Sequence, residues 1–205
     1  MAKPASGTGL DTGHALYTSL LYAWGLLEGS GNPASSATAN TATKNGGSWT
    51  TDADGPLLSF TDHTVAHPLA LATSYAPASS QSFSLAFRVS LTADNDYGMV
   101  AGNGTDYIWL RGGSYLRINT SLGASNWTSL TAFTTAADYL ITFEFIAGVS
   151  NLWRVYKNGT ITSEGAVSSG GALTVADLAG GFSNLCLEGL LSYFYVWDGR
   201  VLTGI

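Results

Sequence analysis

The sequence predicts an all-β fold of two packed antiparallel layers, a sandwich or a barrel, filling one domain of 205 residues. Three observations predict it. The chain is 45% hydrophobic, 12% aromatic and only 11% charged, with 25 glycines. That is too apolar for disorder and too poor in Glu, Lys and Arg for a coiled coil. Residues 82–91 alternate strictly: Phe83, Leu85, Phe87, Val89 and Leu91 share one face, and Ser82, Ser84, Ala86, Arg88 and Ser90 the other. Such a period of two gives roughly 33 Å of strand whose apolar stripe needs a second layer opposite. Finally, short apolar runs separated by Gly, Asn and Asp turns recur along the whole chain.

Taken in order, residues 1–20 read as an arm, with Asp11 and Thr12 placed to cap a short helical turn through His14, Leu16 and Tyr17. Leu20, Tyr22, Trp24 and Leu26 alternate as a strand, which the turn chemistry of residues 28–33 ends. Residues 30–48 are small and polar and read as a long surface loop or a weak edge, which Trp49 pins to the core. Residues 57–60 form a short strand after the Asp54-Gly55 turn, and residues 67–77 read as irregular. Beyond the strand at 82–91, Asp94-Asn95-Asp96 makes a turn, and short strands are expected at 97–101, 107–110 and 115–119. Tyr139, Ile141, Phe143 and Phe145 alternate again. Runs at 152–157 and 160–163 flank Asn158-Gly159, a strong hairpin signal. A last long strand spans about 186–197 and stops at Asp198-Gly199.

Several segments then resemble one family together. Leu21-Tyr22-Ala23-Trp24-Gly25-Leu26-Leu27-Glu28-Gly29-Ser30-Gly31 resembles the opening strand and turn of laminin-G-like jelly rolls of the concanavalin-A-like lectin/glucanase superfamily. Residues 82–89 resemble its second strand, Arg154-Val155-Tyr156-Lys157-Asn158-Gly159 its central hairpin, and residues 189–203 its closing strand. The resemblance covers about residues 20–205 in order. It implies a two-sheet antiparallel jelly-roll sandwich over residues 21–205 with residues 1–20 as an N-terminal arm. Arg88 stands where the family usually has Trp, and Gly204 where an acidic residue is usual. The fold hosts lectins, hydrolases and scaffolding modules alike, so function has to come from a site.

Catalytic chemistry is hard to place. Glycoside hydrolysis needs two carboxylates flanking one bond. Glu28, Glu144, Glu164 and Glu188 are the only glutamates, and none falls in the E-x-D-x-x-E arrangement of the related glucanases. Glu144, beside Thr142 on its strand, reads as a solvated outer position. No G-x-S-x-G occurs. His63 and His67 are four apart, but Pro68 argues against a helical metal pair, and Asp62-His63 reads as a loop pair. Cys186 is the single cysteine and reads as a buried, inert thiol. No catalytic residue and no cofactor is therefore expected. Calcium is the one metal with candidates: related jelly rolls bind it through loop oxygens, and Asp52/Asp54 or Asp94/Asn95/Asp96 could supply them, although such acids also form turns.

Carbohydrate binding needs aromatic platforms with a few polar groups. Tyr107, Trp109, Tyr115 and Trp127 cluster among Asn, Asp and Arg111 and are the candidates. Eight cations against fourteen acids give a net charge of −6, which disfavours nucleic acid. No apolar run is long enough to span a membrane. Residues 1–10 lack the apolar core of a signal peptide, so synthesis in a cytoplasm without export is expected, and the Asn-x-Ser/Thr triplets at Asn103, Asn119, Asn126 and Asn158 are not read as glycan sites.

The opening, from Lys3-Pro4 through His14-Ala15-Leu16 into Tyr22-Ala23-Trp24, also resembles laminin-G-like proteins encoded by tailed bacteriophages. That resemblance implies a non-enzymatic virion structural protein, first of all a capsid decoration (cement) protein on the capsid surface, made in the host cytoplasm. Its partners would be the major capsid protein and further copies of itself, a trimer on a threefold axis being the leading assembly. Lys3, Pro4, Leu10, His14 and Leu16 are the candidate docking residues of the arm. The alternative is a carbohydrate-binding adhesin or lectin module, a phage fibre or receptor-binding protein, with glycans as ligands.

Overall fold

The computed structural model describes residues 13–78, 80–92, 98–103, 105–111, 115–120, 123–128, 137–148, 151–167, 173–180 and 186–202, by backbone alone at 99, 111, 115–120, 123–128, 163 and 165–167. Two antiparallel sheets pack face to face. The first has eight strands. Its order is β13 (Thr160–Val167), β12 (Asn151–Lys157), β11 (Asp138–Ile146), β6 (Phe83–Leu91), β15 (Gly189–Asp198), β4 (Gly55–Phe60) and β3 (Ser48–Asp52), with β1 (Leu20–Trp24) also paired to β15. The second has seven: β10 (Gly123–Thr128), β9 (Tyr115–Thr120), β8 (Tyr107–Arg111), β7 (Met99–Gly102), β14 (Val175–Leu178), β5 (Leu69–Tyr75) and β2 (Ala42–Lys44). The all-β two-sheet sandwich expected from the sequence is the fold. Among the described residues no helix is long and apolar enough to cross a membrane.

The predicted stripes make the core. Phe83, Leu85, Phe87, Val89 and Leu91 on β6 are buried, and so are Tyr139, Ile141, Phe143 and Phe145 on the adjoining β11. Val100, Ile108, Leu110, Val175 and Leu178 of the second sheet join them in one cluster. Aromatic rings fill the space between the layers: Phe87 stacks on Phe194 at 5.7 Å, and Trp153 lies 4.4 Å from Phe143. Each such ring contributes about 1.5–3 kcal/mol through removal from water alone. The β12–β13 hairpin turns at Asn158 and Gly159 with φ of 51° and 79°, the two positive values a tight two-residue hairpin turn needs. Gly98 lets β8 pass close by: a Cβ there would sit 1.7 Å from the Leu110 carbonyl oxygen.

Some local expectations change. Residues 67–77 are not irregular, because Leu69–Tyr75 form β5, which pairs with β2 and β14. Leu69 and Tyr75 are buried and Leu71 packs partly buried on the core, but Ala72, Thr73 and Ser74 between them are exposed, so the apolar spacing is broken before Tyr75. The strands β10 and β14 are not anticipated by the sequence reading either, whereas the short edge strand β2 is the weak edge allowed within residues 30–48. The turn expected through His14, Leu16 and Tyr17 is a short 3-10 turn at Ala15–Tyr17 capped by His14, whose ring Nδ1 accepts the Leu16 N–H at 3.1 Å; Asp11 and Thr12, named as its caps, lie outside the described residues. Trp49 does pin its loop: it packs on the core, and its Nε1 donates to the Gly31 carbonyl at 3.1 Å.

Candidate functional site

β8 positions the first two candidate residues. Ile108 and Leu110 are fully buried in the core, so Tyr107 and Trp109 lie on the other face of the strand. Their rings meet at 6.5 Å and 74°. The preceding turn is fixed by the Asn103 side chain, which accepts the N–H groups of Thr105 and Asp106 at 2.9 and 2.8 Å. Asp106 in turn accepts the Thr174 N–H at 2.9 Å, tying the start of β8 to the segment that precedes β14.

Register carries the face across two more strands. Opposed residues of an antiparallel ladder share a face. Tyr107 opposes Asn119, Trp109 opposes Arg117, and Arg111 opposes Tyr115. On the next strand Trp127 opposes Arg117. Trp109, Arg117 and Trp127 therefore form one transverse row, with Tyr107 and Tyr115 in rows on either side. At the usual strand spacing the two tryptophan positions stand roughly 10 Å apart. By backbone register the four aromatic positions named from the sequence thus fall on one side of the β8–β9–β10 ladder, together with the positions of Arg117 and Asn119, which were not singled out there. Trp109 is only 8% exposed, so it does not lie open as a free platform.

The opposite outer face, on the eight-stranded sheet, is organised differently. Arg88 is nearly buried, and its Nη1 donates to Asp54 at 2.6 Å and its Nη2 to Asp138 at 2.6 Å, with Asp52 at 3.6 Å. Burial works against the Arg88 charge, but the hydrogen bonds and charges of the aspartates outweigh it and hold its pKa above the usual range. Beside it, β15 sends out Tyr193, Tyr195 and Trp197 as a ladder, the tyrosines stacked at 5.0 Å and Trp197 edge-on to Tyr195 at 5.9 Å. Burial pushes the Tyr193 phenol up to about 12. Asp52 and Asp54, the candidate calcium ligands, are thus engaged with an arginine. The second candidate group, Asp94/Asn95/Asp96, lies outside the described residues. Among the described residues no group of three His, Cys, Asp or Glu is arranged to hold a metal.

The remaining titratable groups are placed as follows. His63 pairs with Glu188 at 2.6 Å rather than with Asp62, which instead caps Thr64 through its N–H and hydroxyl at 2.9 and 2.6 Å. His67 pairs with Asp177 at 2.8 Å; burial raises the Asp177 pKa, and His67 offsets part of that. Cys186 is buried, and its thiol donates to the Val65 carbonyl at 3.0 Å. Glu144 corrects the sequence reading outright: it is fully buried, not solvated. Of the arm, Lys3, Pro4 and Leu10 lie outside the described residues, and His14 is exposed. Leu16 is half-buried against Trp197, Ala86 and Leu202, and its carbonyl accepts Trp197 Nε1 at 2.6 Å.

The architecture has solved counterparts. The chain is similar to the binding domain of Paraclostridial Mosquitocidal Protein 1, with a TM-score of 0.65 and 14% identity over 92% of this chain and 51% of that one. It is similar to Domain 4 of AbnA, a GH43 extracellular arabinanase from Geobacillus stearothermophilus solved in complex with arabinotriose, at TM-score 0.55 and 15% identity over 90% and 94% of the two chains. Trypanosoma rangeli sialidase matches at TM-score 0.60 and 12% identity over 100% of this chain and 34% of the sialidase. The chain therefore spans about half of the mosquitocidal binding domain and about a third of the sialidase. The likeness is one of fold. No family model matches the sequence, and no curated protein matches it.

Proposed function

We propose that the chain is a non-catalytic binding module whose outer face on β8, β9 and β10 takes carbohydrate. The observation that carries this reading is the register that gathers Tyr107, Trp109, Tyr115 and Trp127 around Arg117 on one face. Aromatic rings cover the apolar faces of sugars, and a planar guanidinium and an amide suit paired hydroxyls. The arabinotriose complex of Domain 4 of AbnA supports the reading, since a chain of this fold and nearly this length holds a sugar. The absence of turnover is part of the proposal. It is supported by the engagement of Glu28 with the Ala34 N–H, Glu164 with Arg154 and Glu188 with His63. A glycan array followed by calorimetry on the wild type, Arg117→Ala and Trp127→Ala tests it. Binding to a defined glycan that falls at least tenfold in both variants supports the reading; binding unaffected by both overturns it.

A finer version places the module on a bacteriophage capsid as a decoration protein, assembled as an oligomer on the major capsid protein. Its support is the resemblance of residues 3–24 to phage-encoded relatives and the way the root of the arm is fastened. Trp197 holds the Leu16 carbonyl, and Arg200 holds those of Ala15 and Thr18 at 2.5 and 3.0 Å. A fixed root gives Lys3, Pro4 and Leu10 a defined point from which to reach a partner. Co-sedimentation with empty capsids, with and without residues 1–12, tests this version. Equal binding by the two forms removes the docking role of the arm, and no binding by either removes the capsid.

A further inference from the structure

Glu144 occupies an unusual position. It lies on the outer side of β11, opposite Ser84 of β6 and Arg154 of β12. It is nevertheless completely buried, and neither carboxylate oxygen has a partner at hydrogen-bond geometry. The cover includes residues 200–202, which cross this side of the sheet after β15. Ser84 Oγ donates to the Arg200 carbonyl at 2.9 Å and accepts the Leu202 N–H at 3.2 Å. Leu202 is 3% exposed and packs on Ala86 and Trp197, with Leu16, Leu20 and Tyr195 around them. The Arg200 guanidinium reaches the Ala15 and Thr18 carbonyls, so this strap and the root of the arm are fastened together.

We propose that residues 200–202 form a pH-sensitive latch over this face, closed while Glu144 is protonated and loosened when it ionises. A neutral carboxyl fits a sealed site of this kind, whereas a carboxylate shut off from water is disfavoured there even with Tyr156, Arg154 and the Leu202 backbone nearby, and regains full hydration only if the cover lifts. Among the described residues the charged and titratable groups on this side are Arg154 and Tyr156 on β12, Glu164 on β13, Tyr193 and Tyr195 on β15, and, farther along the face, Arg88 with Asp52, Asp54 and Asp138. Arg154 is committed to Glu164 through its Nε at 2.5 Å. β6 contributes only Ser84 and Ala86 next to Glu144, and Arg200 is turned to the arm. Burial raises the proton affinity of Glu144 more than Tyr156, Arg154 and the Leu202 backbone lower it. The sign follows. The closed form binds the proton more tightly than the open form, so closure is fully favoured below the ordinary glutamate range and is lost as pH rises through the elevated value. Each unit of difference in pKa between the two forms weakens closure about tenfold.

The test uses the full chain, wild type and Glu144→Gln. Carbon NMR follows the Glu144 carboxyl from about pH 4 to about pH 9 while hydrogen exchange, corrected for the intrinsic rate, follows the Leu202 amide. The proposal expects a Glu144 midpoint above the usual carboxylate range and a fall in Leu202 protection of tenfold or more with the same midpoint. In Glu144→Gln, whose neutral amide imitates the protonated acid, protection stays high throughout. Leu202 protection unchanged through the Glu144 titration, an ordinary Glu144 midpoint, or an equal loss of protection in Glu144→Gln overturns it. The wild-type titration decides the matter alone if the variant does not fold.

Discussion

Phe83 is the residue on which the packing of the two layers can be tested most sharply. It is fully buried on β6, and its ring meets Tyr75 of the other sheet at 5.7 Å and Phe143, Phe145 and Trp153 of its own at 6.2, 5.6 and 6.0 Å. Phe83→Ala removes a ring from a site whose neighbours are themselves rigid aromatics on a continuous sheet, so the cavity relaxes little. The expected loss is about 3–5 kcal/mol. For a domain of this size that lowers Tm by about 6–20 °C. Phe83→Leu keeps most of the volume and loses chiefly the aromatic pairing, a cost of about 1–2 kcal/mol. Ile161→Ala is the control: Ile161 is 49% exposed, and truncation there should change stability by less than about 0.5 kcal/mol. Urea and thermal unfolding of the three variants, read by far-UV circular dichroism, give the ranking. A Phe83→Ala loss below about 1 kcal/mol, indistinguishable from the Ile161 control, would refute the packing described for this core.

Three further outcomes are expected. Trp197→Phe removes the donor to the Leu16 carbonyl at 2.6 Å together with part of a buried ring, and should lower stability by about 2 kcal/mol while speeding amide exchange at residues 14–19. Gly98→Ala places a Cβ 1.7 Å from the Leu110 carbonyl oxygen, so β7 and β8 cannot keep their approach; soluble yield or Tm should fall sharply. Asp177 has its pKa raised by burial, partly offset by His67, so its contribution is fully present below the ordinary aspartate range and declines as pH rises through the raised value. Asp177→Asn should therefore gain on the wild type in urea midpoint between acid and neutral pH, and a constant difference across that range would contradict the sign.

The fold was legible wherever one strand carries the whole apolar stripe. β6 and β11 alternate strictly and neighbour each other, and Asn158-Gly159 marks its hairpin unaided. β5 is hard to read because Thr73 interrupts the apolar face formed by Leu69, Leu71 and Tyr75, the intervening Ala70, Ala72 and Ser74 are small, and Pro68 and Pro77 read as breakers. The site divides in the same way. Tyr107 and Trp109 announce a shared face by their spacing of two. The row through Arg117 to Trp127 depends on the pairing of β9 with both its neighbours, which spacing alone does not give. Glu144 was misread for a longer-range reason: its cover comes from Leu202 and Arg200, far along the chain, and an outward strand position is solvated only if nothing crosses it. Arg88 takes its aspartates from the β3–β4 turn and the start of β11.

The central claim, that the outer face of β8 to β10 is a carbohydrate-binding surface, is tested most directly by the affinity of one defined glycan for the wild type and for Trp127→Ala, with circular dichroism confirming an unchanged fold. A loss of tenfold or more in affinity with an intact spectrum is the predicted result. Equal affinity in the two proteins, or no glycan bound by the wild type across a broad array, would contradict it.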